Sequence, residues 1–147
     1  MPQVIRDISK IARYGIQYRN ERMEPMGLSG RHANYLTEIC ANPGISQEQL
    51  TQRLNINKSN VARQVVILEE GGFIQRTPCW EDKRVMKLYP TEKALALLPQ
   101  IQELLDAWQA FLIQDLSEDE QVLLEEMLAR IKARAAQGME EPHNGKT

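Results

Sequence analysis

The stretch from Ile45 to Gly72, "ISQEQLTQRLNINKSNVARQVVILEEGG", constrains the fold of this chain more than any other. Ser46 followed by Gln49 is a capping box: the hydroxyl accepts from the amide at the third helical position while the Gln49 side chain reaches back to the cap. The helix it opens is short and ends near Leu54. Asn57 is a second cap and opens a helix over about Lys58–Glu70, which Gly71 and Gly72 close because glycine tolerates the left-handed backbone that ends helices. Only "NIN" separates the two helices. Two short helices joined this tightly have the spacing of a helix-turn-helix, whose second helix can enter the DNA major groove.

The composition of that second helix agrees with such a role. At 100° per residue, Ser59, Asn60, Arg63, Gln64 and Ile67 share an arc of ~140°, and Val61, Ala62, Val65, Val66 and Leu68 fill the remainder. One face packs and the other is small and polar. On the polar face, Arg63 can address guanine and Asn60 or Gln64 adenine by the bidentate geometries of their side chains, while Lys58 and Ser59 suit phosphates.

Immediately downstream, the strand-like runs "FIQRT" and "VMKLY" flank four consecutive charges, Glu81, Asp82, Lys83 and Arg84. A charged two-stranded hairpin after a helix-turn-helix predicts a winged helix, in which an arginine can reach the adjacent minor groove, where negative potential is concentrated. Arg84 is the candidate for that insertion, and Arg76, Lys83 and Lys87 add positive charge along the same surface. Asp82 is read as the orienting partner of Arg84 or Arg76. Taken alone, a charge run such as this is an ordinary solvated loop, and only the preceding helix pair lifts it above that reading.

The flanking segments are helical. Val4, Ile5, Ile8, Ile11, Ala12, Gly15 and Ile16 form one apolar stripe on a helix ending near Met23, where Pro25 and Gly27 break the pattern. A second helix is expected from Ser29, as its cap, to about Ala41. Thr91 can cap a long helix through Leu112, with Leu95, Leu98, Ile101, Leu105 and Leu112 on one side and a bend or a lost hydrogen bond at Pro99. Ser117 and Glu120 form a second capping box, opening a last helix through Leu124, Met127, Leu128 and Ile131. The fold class is therefore mainly α with a small β-hairpin wing, in one domain over 1–147. The winged helix-turn-helix spans about 28–91, dimerisation helices cover about 1–24 and 92–136, and a polar, flexible tail occupies 137–147. The stripes on the first and last helices exceed what a small core can cover, which predicts a homodimer.

Bulk properties set the outer bounds. A chain of 147 residues with 42% hydrophobic composition forms about one domain. The net charge of −2 hides an asymmetry: residues 51–91 carry seven Lys/Arg against four Asp/Glu, whereas residues 92–147 carry five against eleven. Positive charge gathers around the hairpin. No run approaches the roughly 18 apolar residues of a membrane span and no signal-peptide pattern precedes the first helix, so a cytoplasmic protein without membrane contact is expected. Cys40 and Cys79 have neither disulfide-framework nor zinc spacing. Cys40 reads as a packed small residue; Cys79, beside Trp80 on the wing, is the candidate redox site. No catalytic set, phosphate loop or nucleophile motif is visible, and no enzyme, metal or cofactor is expected.

Residues 44–76, "GISQEQLTQRLNINKSNVARQVVILEEGGFIQR", with Asp82-Lys83-Arg84 and the turn Pro90-Thr91-Glu92-Lys93, resemble the MarR family of bacterial transcriptional regulators. The likeness extends from the second helix to the last. Where family members often have Asp, Thr and Thr, this chain has Asn57, Asn60 and Ala62, so the operator sequence does not carry over. The resemblance implies a homodimeric repressor with a recognition helix in each major groove and a wing arginine in each minor groove. It also implies a pseudo-palindromic double-stranded DNA operator and relief of binding by a small molecule or an oxidant. Tyr14, Tyr18, His32, Tyr35 and Trp108 are the candidate lining of an effector pocket for a small aromatic molecule; they are equally ordinary core or interface aromatics. The alternative function is a winged-helix protein-interaction module without DNA binding, which would favour a neutral or acidic recognition face over one bearing Lys58, Arg63, Arg84 and Lys87.

Overall fold

The computed structural model describes residues 2–145, and side chains for residues 3–140. The elements run α1 (Pro2–Met23), a 3-10 turn (Glu24–Met26), α2 (His32–Ala41), β1 (Ile45–Ser46), α3 (Gln47–Leu54), α4 (Lys58–Glu70), β2 (Ile74–Pro78), β3 (Met86–Pro90), α5 (Glu92–Leu112) and α6 (Glu118–Gly145). The chain forms two compact units, Met1–Trp108 and Gln109–Thr147. Among the described residues, no helix is long and apolar enough to cross a membrane.

The first unit is built around α4. Val61, Val65 and Leu68 are fully buried, together with Leu36 and Ile39 of α2, Leu50 of α3, Leu88 of β3 and Ile101 of α5. Each aliphatic side chain taken out of water in this way contributes about 1.5–3 kcal/mol. The local signals at both ends of α4 act as expected. Asn57 accepts a hydrogen bond from the Ser59 amide at 2.9 Å, and Asn55, in the turn, takes a left-handed conformation (φ 53°) that asparagine tolerates. At the other end Phe73 N–H donates to Leu68 C=O at 2.9 Å and Gly72 N–H to Glu69 C=O at 3.0 Å. With Gly72 at φ +79°, this is a Schellman closure.

The wing is a three-stranded antiparallel sheet in the order β1-β3-β2 rather than a two-stranded hairpin. Five pairs, from Ile74 opposite Pro90 to Pro78 opposite Met86, join β2 and β3; Ile45 and Ser46 pair with Leu88 and Lys87 on the other edge of β3. A strand of two residues carries no alternation that a sequence could display. Its effect is to make β3 the central strand, with Leu88 buried beneath it.

The capping boxes at Ser46/Gln49 and Ser117/Glu120 are both formed. Thr91 also acts as anticipated, its hydroxyl accepting from Ala94 N–H at 3.3 Å, and it does more: the hydroxyl donates to Gly72 C=O at 2.6 Å. Lys93 Nζ donates to Gly71 C=O at 2.9 Å, placing a cation at the carboxyl end of α4.

Two further expectations differ from the structure. Helix α2 begins at His32, with Arg31 at its cap and no capping side chain. Ser29 lies one turn earlier because the chain is first tied down at Gly30, whose N–H donates to Asn20 Oδ1 at 2.6 Å and whose C=O accepts from Arg19 Nε at 3.2 Å. A β-carbon at Gly30 would lie 2.8 Å from Ile16 C=O, so α1 can approach only because this residue is glycine. Second, the α6 backbone stays helical to Gly145, through most of the stretch expected as a polar tail; residues 146–147 lie outside the described residues. Polarity predicts the absence of a core contact, and residues 132–140 are all exposed, but it does not by itself decide whether the backbone is helical. The flanking helices carry exposed apolar residues: Val4, Ile5, Ile8, Ile11 and Ile16 on α1, and Val122, Leu123, Met127, Leu128 and Ile131 on α6.

One ion pair ties the wing to α4. Arg76 of β2 donates from Nε to Glu69 Oε1 at 3.0 Å, its Nη2 lies 2.9 Å from the same oxygen, and its backbone N–H donates to Oε2 at 3.3 Å. These bonds hold the Glu69 carboxyl below its ordinary range, principally through the side-chain hydrogen bond from Arg76. A depressed carboxyl stabilises the fold above its unfolded value and loses that contribution as pH falls through the folded value. Glu69→Gln should therefore lower the melting temperature at pH 7, and the difference from the wild type should shrink once pH falls below about 4.5. Thermal melts across pH 3–7 measure it; a difference that persists unchanged at pH 3 would remove the ion pair as its cause.

Candidate nucleic-acid interface

The exposed face of α4 carries Lys58, Ser59 and Arg63 fully at the surface, with Asn60 and Gln64 half-buried beside them. Ser59 is engaged locally, since its hydroxyl as well as its amide bonds to Asn57 Oδ1. Arg63 shares a shallow patch with Ala62, Val66 and Ile67. Ile67, the one apolar residue that periodicity places on the polar arc, is 50% exposed, so apolar groups flank the arginine there. Methyl groups beside an arginine suit the 5-methyl of thymine next to a guanine.

Gln64 is committed on one side. His32 Nε2 lies 2.8 Å from Gln64 Oε1 across 32 positions of sequence. The His32 ring is buried, meets Tyr35 edge-on at 6.2 Å, and accepts at Nδ1 from Ser29 N–H at 3.0 Å. Burial pushes its pKa down, as does the nearby Arg31 charge, against an opposing contribution from the Gln64 hydrogen bond.

The wing loop is closed by Cys79 N–H donating to Val85 C=O at 2.7 Å and Val85 N–H donating to Asp82 C=O at 2.9 Å. Within it, Asp82 Oδ1 accepts from both the backbone N–H and Nε of Arg84, at 3.0 and 3.1 Å, and Oδ2 accepts from Nη2 at 3.2 Å. The Arg84 hydrogen bonds keep the Asp82 carboxyl below its ordinary range. Asp82 thus orients Arg84, whose side chain remains 92% exposed. Arg76 is half-buried and held by Glu69, so of the two partners considered for Asp82 it is Arg84 that pairs, and the Arg76 guanidinium serves the wing root instead. Lys83 is exposed and Lys87 half-buried on β3.

A concavity of about 410 Å3 brings Lys58 and Arg84 together, lined also by Gln47, Glu48, Thr51 and Gln52 of α3 and by Val85 and Met86. The α3 residues carried no sequence signal beyond their place in the first helix of the pair. Trp80, 93% exposed on the wing loop, is a further surface group that periodicity could not mark.

The aromatic candidates separate into pairs. Tyr18 stacks on Trp108 with ring centroids 4.4 Å apart, and the Arg22 guanidinium lies 3.8 Å over the Tyr18 ring. His32 and Tyr35 form the second pair, with the Tyr35 hydroxyl buried and without a hydrogen-bond partner among the described residues. Tyr14 is 54% exposed on α1. Both cysteines are free and half-buried, and burial raises the Cys40 thiol, which disfavours its thiolate.

Comparison with known proteins places this geometry in context. The model of the MarR family matches residues 26–85, a span that holds α2, the helix pair and the wing loop. An HTH-type transcriptional regulator of Bacillus subtilis (strain 168), YybA, is 35% identical over 99 residues, which is 67% of this chain and 66% of that regulator. The chain thus spans just under two thirds of that relative's length. Among solved structures, the transcriptional regulator SlyA superimposes with a TM-score of 0.89 at 30% identity, covering 93% of this chain and 96% of the other. A regulator from Listeria monocytogenes assigned to the MarR family, solved in complex with a 26mer DNA, has a TM-score of 0.85 at 30% identity, over 91% and 89% of the two chains. With the helix pair, the three-stranded wing and near-full-length matches to such regulators all coinciding, the chain belongs to the MarR family of transcriptional regulators.

Proposed function

We propose that this regulator is a sequence-specific repressor that binds double-stranded DNA as a homodimer on a pseudo-palindromic operator, with α4 in the major groove and Arg84 of the wing in the minor groove. The observation that carries the reading is the placement of Arg84. It is almost wholly exposed, aimed by a bidentate bond to Asp82, and shares one concavity with Lys58 at the start of α4. The similarity to a Listeria monocytogenes regulator solved on DNA supports it. A winged helix used only for protein contacts has no need of two exposed cations lining one groove.

The two arginines should fail differently. Arg84→Ala should weaken binding to every duplex and lower the salt slope by about one unit per subunit, because a phosphate or minor-groove cation acts through counterion release. Arg63→Ala should cost about 1–3 kcal/mol mainly on the operator and relax one base position per half-site. Asp82→Ala should resemble a weaker Arg84→Ala, since the charge stays while its orientation loosens. Titration of specific and scrambled duplexes at several salt concentrations reads all three. Wild-type binding that ignores salt, or an Arg84→Ala variant that binds unchanged, would favour the protein-interaction reading instead.

The dimer rests on the exposed stripes of α1 and α6, each of which presents five or more large apolar residues to solvent in the single chain. Sedimentation at micromolar concentration should give twice the 16.9 kDa chain mass. A folded monomer under those conditions would contradict it.

A further inference from the structure

The bond between α2 and the recognition helix determines what Gln64 offers to a ligand. A backbone N–H can only donate, and Ser29 N–H points at His32 Nδ1 from 3.0 Å, with the Ser29 hydroxyl 3.2 Å from the same nitrogen. Nδ1 must therefore carry a lone pair, and the proton of the neutral imidazole must sit on Nε2. Nε2–H then donates to Gln64 at 2.8 Å, and the atom that receives it must be the carbonyl oxygen, because an amide nitrogen cannot accept. The orientation of the Gln64 amide follows from a main-chain N–H, through the tautomer of a buried histidine.

We infer that His32 is a positioning residue that holds Gln64 with its carbonyl turned inward, so that the recognition helix presents at this position only the N–H donors of Nε2 and reads a hydrogen-bond acceptor on the DNA. Nε2 has no partner among the described residues, and Gln64 lies one turn beyond Asn60 and beside Arg63 on the exposed arc of α4. The bidentate pairing of glutamine with adenine needs Oε1 to accept from N6 while Nε2 donates to N7. That pairing is disfavoured when Oε1 is already committed to His32. The acceptor-only edges in the major groove are N7 and O6 of guanine and O4 of thymine. The chain is thus expected to select guanine or thymine opposite Gln64. This inference rests on the DNA-binding reading above and deepens it.

The test is selection from a duplex library randomised over the operator, followed by titration of the selected duplexes, with wild type and four variants. Gln64→Ala identifies the position, as the one whose preference collapses. In the wild type that position should be guanine or thymine, at several-fold over adenine. Gln64→Glu keeps an oxygen for His32 but turns an acceptor outward, so the preference there should invert toward cytosine or adenine, whose exocyclic amines donate. His32→Phe preserves the buried ring and frees the amide to turn, so adenine should rise to parity at that position while the Arg63 position stays unchanged. His32→Gln, which can again accept from Ser29 and donate to Gln64, should restore the wild-type preference. A purely structural role for His32 would weaken all positions together, and the Arg63 position reports on that within the same experiment. Wild-type selection of adenine at the Gln64 position would overturn the inference alone, as would operator binding with no position that responds to Gln64→Ala. A wild type that selects no sequence at all would overturn the DNA-binding reading and the inference with it. Should His32→Phe fail to fold, the wild-type preference and the Gln64 variants still decide the outcome.

Discussion

The burial of Val61, Val65 and Leu68 is the constraint on which the rest of the structure depends. It fixes the rotation of α4, and rotation alone decides which side chains of that helix reach solvent. Every other device acts on an orientation already set by that packing. Asn57 defines where the helix starts, the Gly72 closure and the Thr91 and Lys93 bonds define where it stops, and the Glu69–Arg76 pair joins its last turn to β2. The wing is consequently referenced to the helix it follows, through side chains as well as through the chain itself.

A cationic site of the kind proposed for Arg84 balances two opposing needs. To meet DNA, Arg84 must be accessible, and an exposed arginine ordinarily samples many rotamers at an entropic cost on binding. The Asp82 carboxylate lowers that cost by holding the guanidinium in a fork without covering it, while its negative charge reduces the attraction for phosphate. Because the pair is exposed, the structural contribution of the bond is small and its value lies in direction. Arg76 shows the opposite solution: a similar arginine in β2, seven residues after Glu69, is matched by that acid on α4 and used to join elements.

Much of this could be read in the sequence because it depends on neighbours along the chain. The capping boxes, the Asn57 cap and the bounds of α4 are all local, and the structure has them where the residue pattern put them; of the two partners the pattern left open for Asp82, it is the nearer, Arg84, that pairs. What could not be read depends on contacts between distant segments. The β1 strand is too short for periodicity; Arg76 meets an acid seven residues away across a turn; and Ser29 loses its capping role because Gly30 is tied to α1. The clearest case is Gln64. Side-chain chemistry alone allows it to read adenine, and only the buried His32, 32 residues earlier, reveals that its oxygen faces inward.

The central claim is that this fold presents α4 and the wing to DNA as a two-fold pair. Sequencing the fragments that the purified protein retains from its own genome tests that most directly. The account predicts enrichment of a short inverted repeat whose half-sites are one helical turn, ~10 bp, apart. Fragments with no shared sequence, or a single asymmetric motif without a mirrored half, would contradict it.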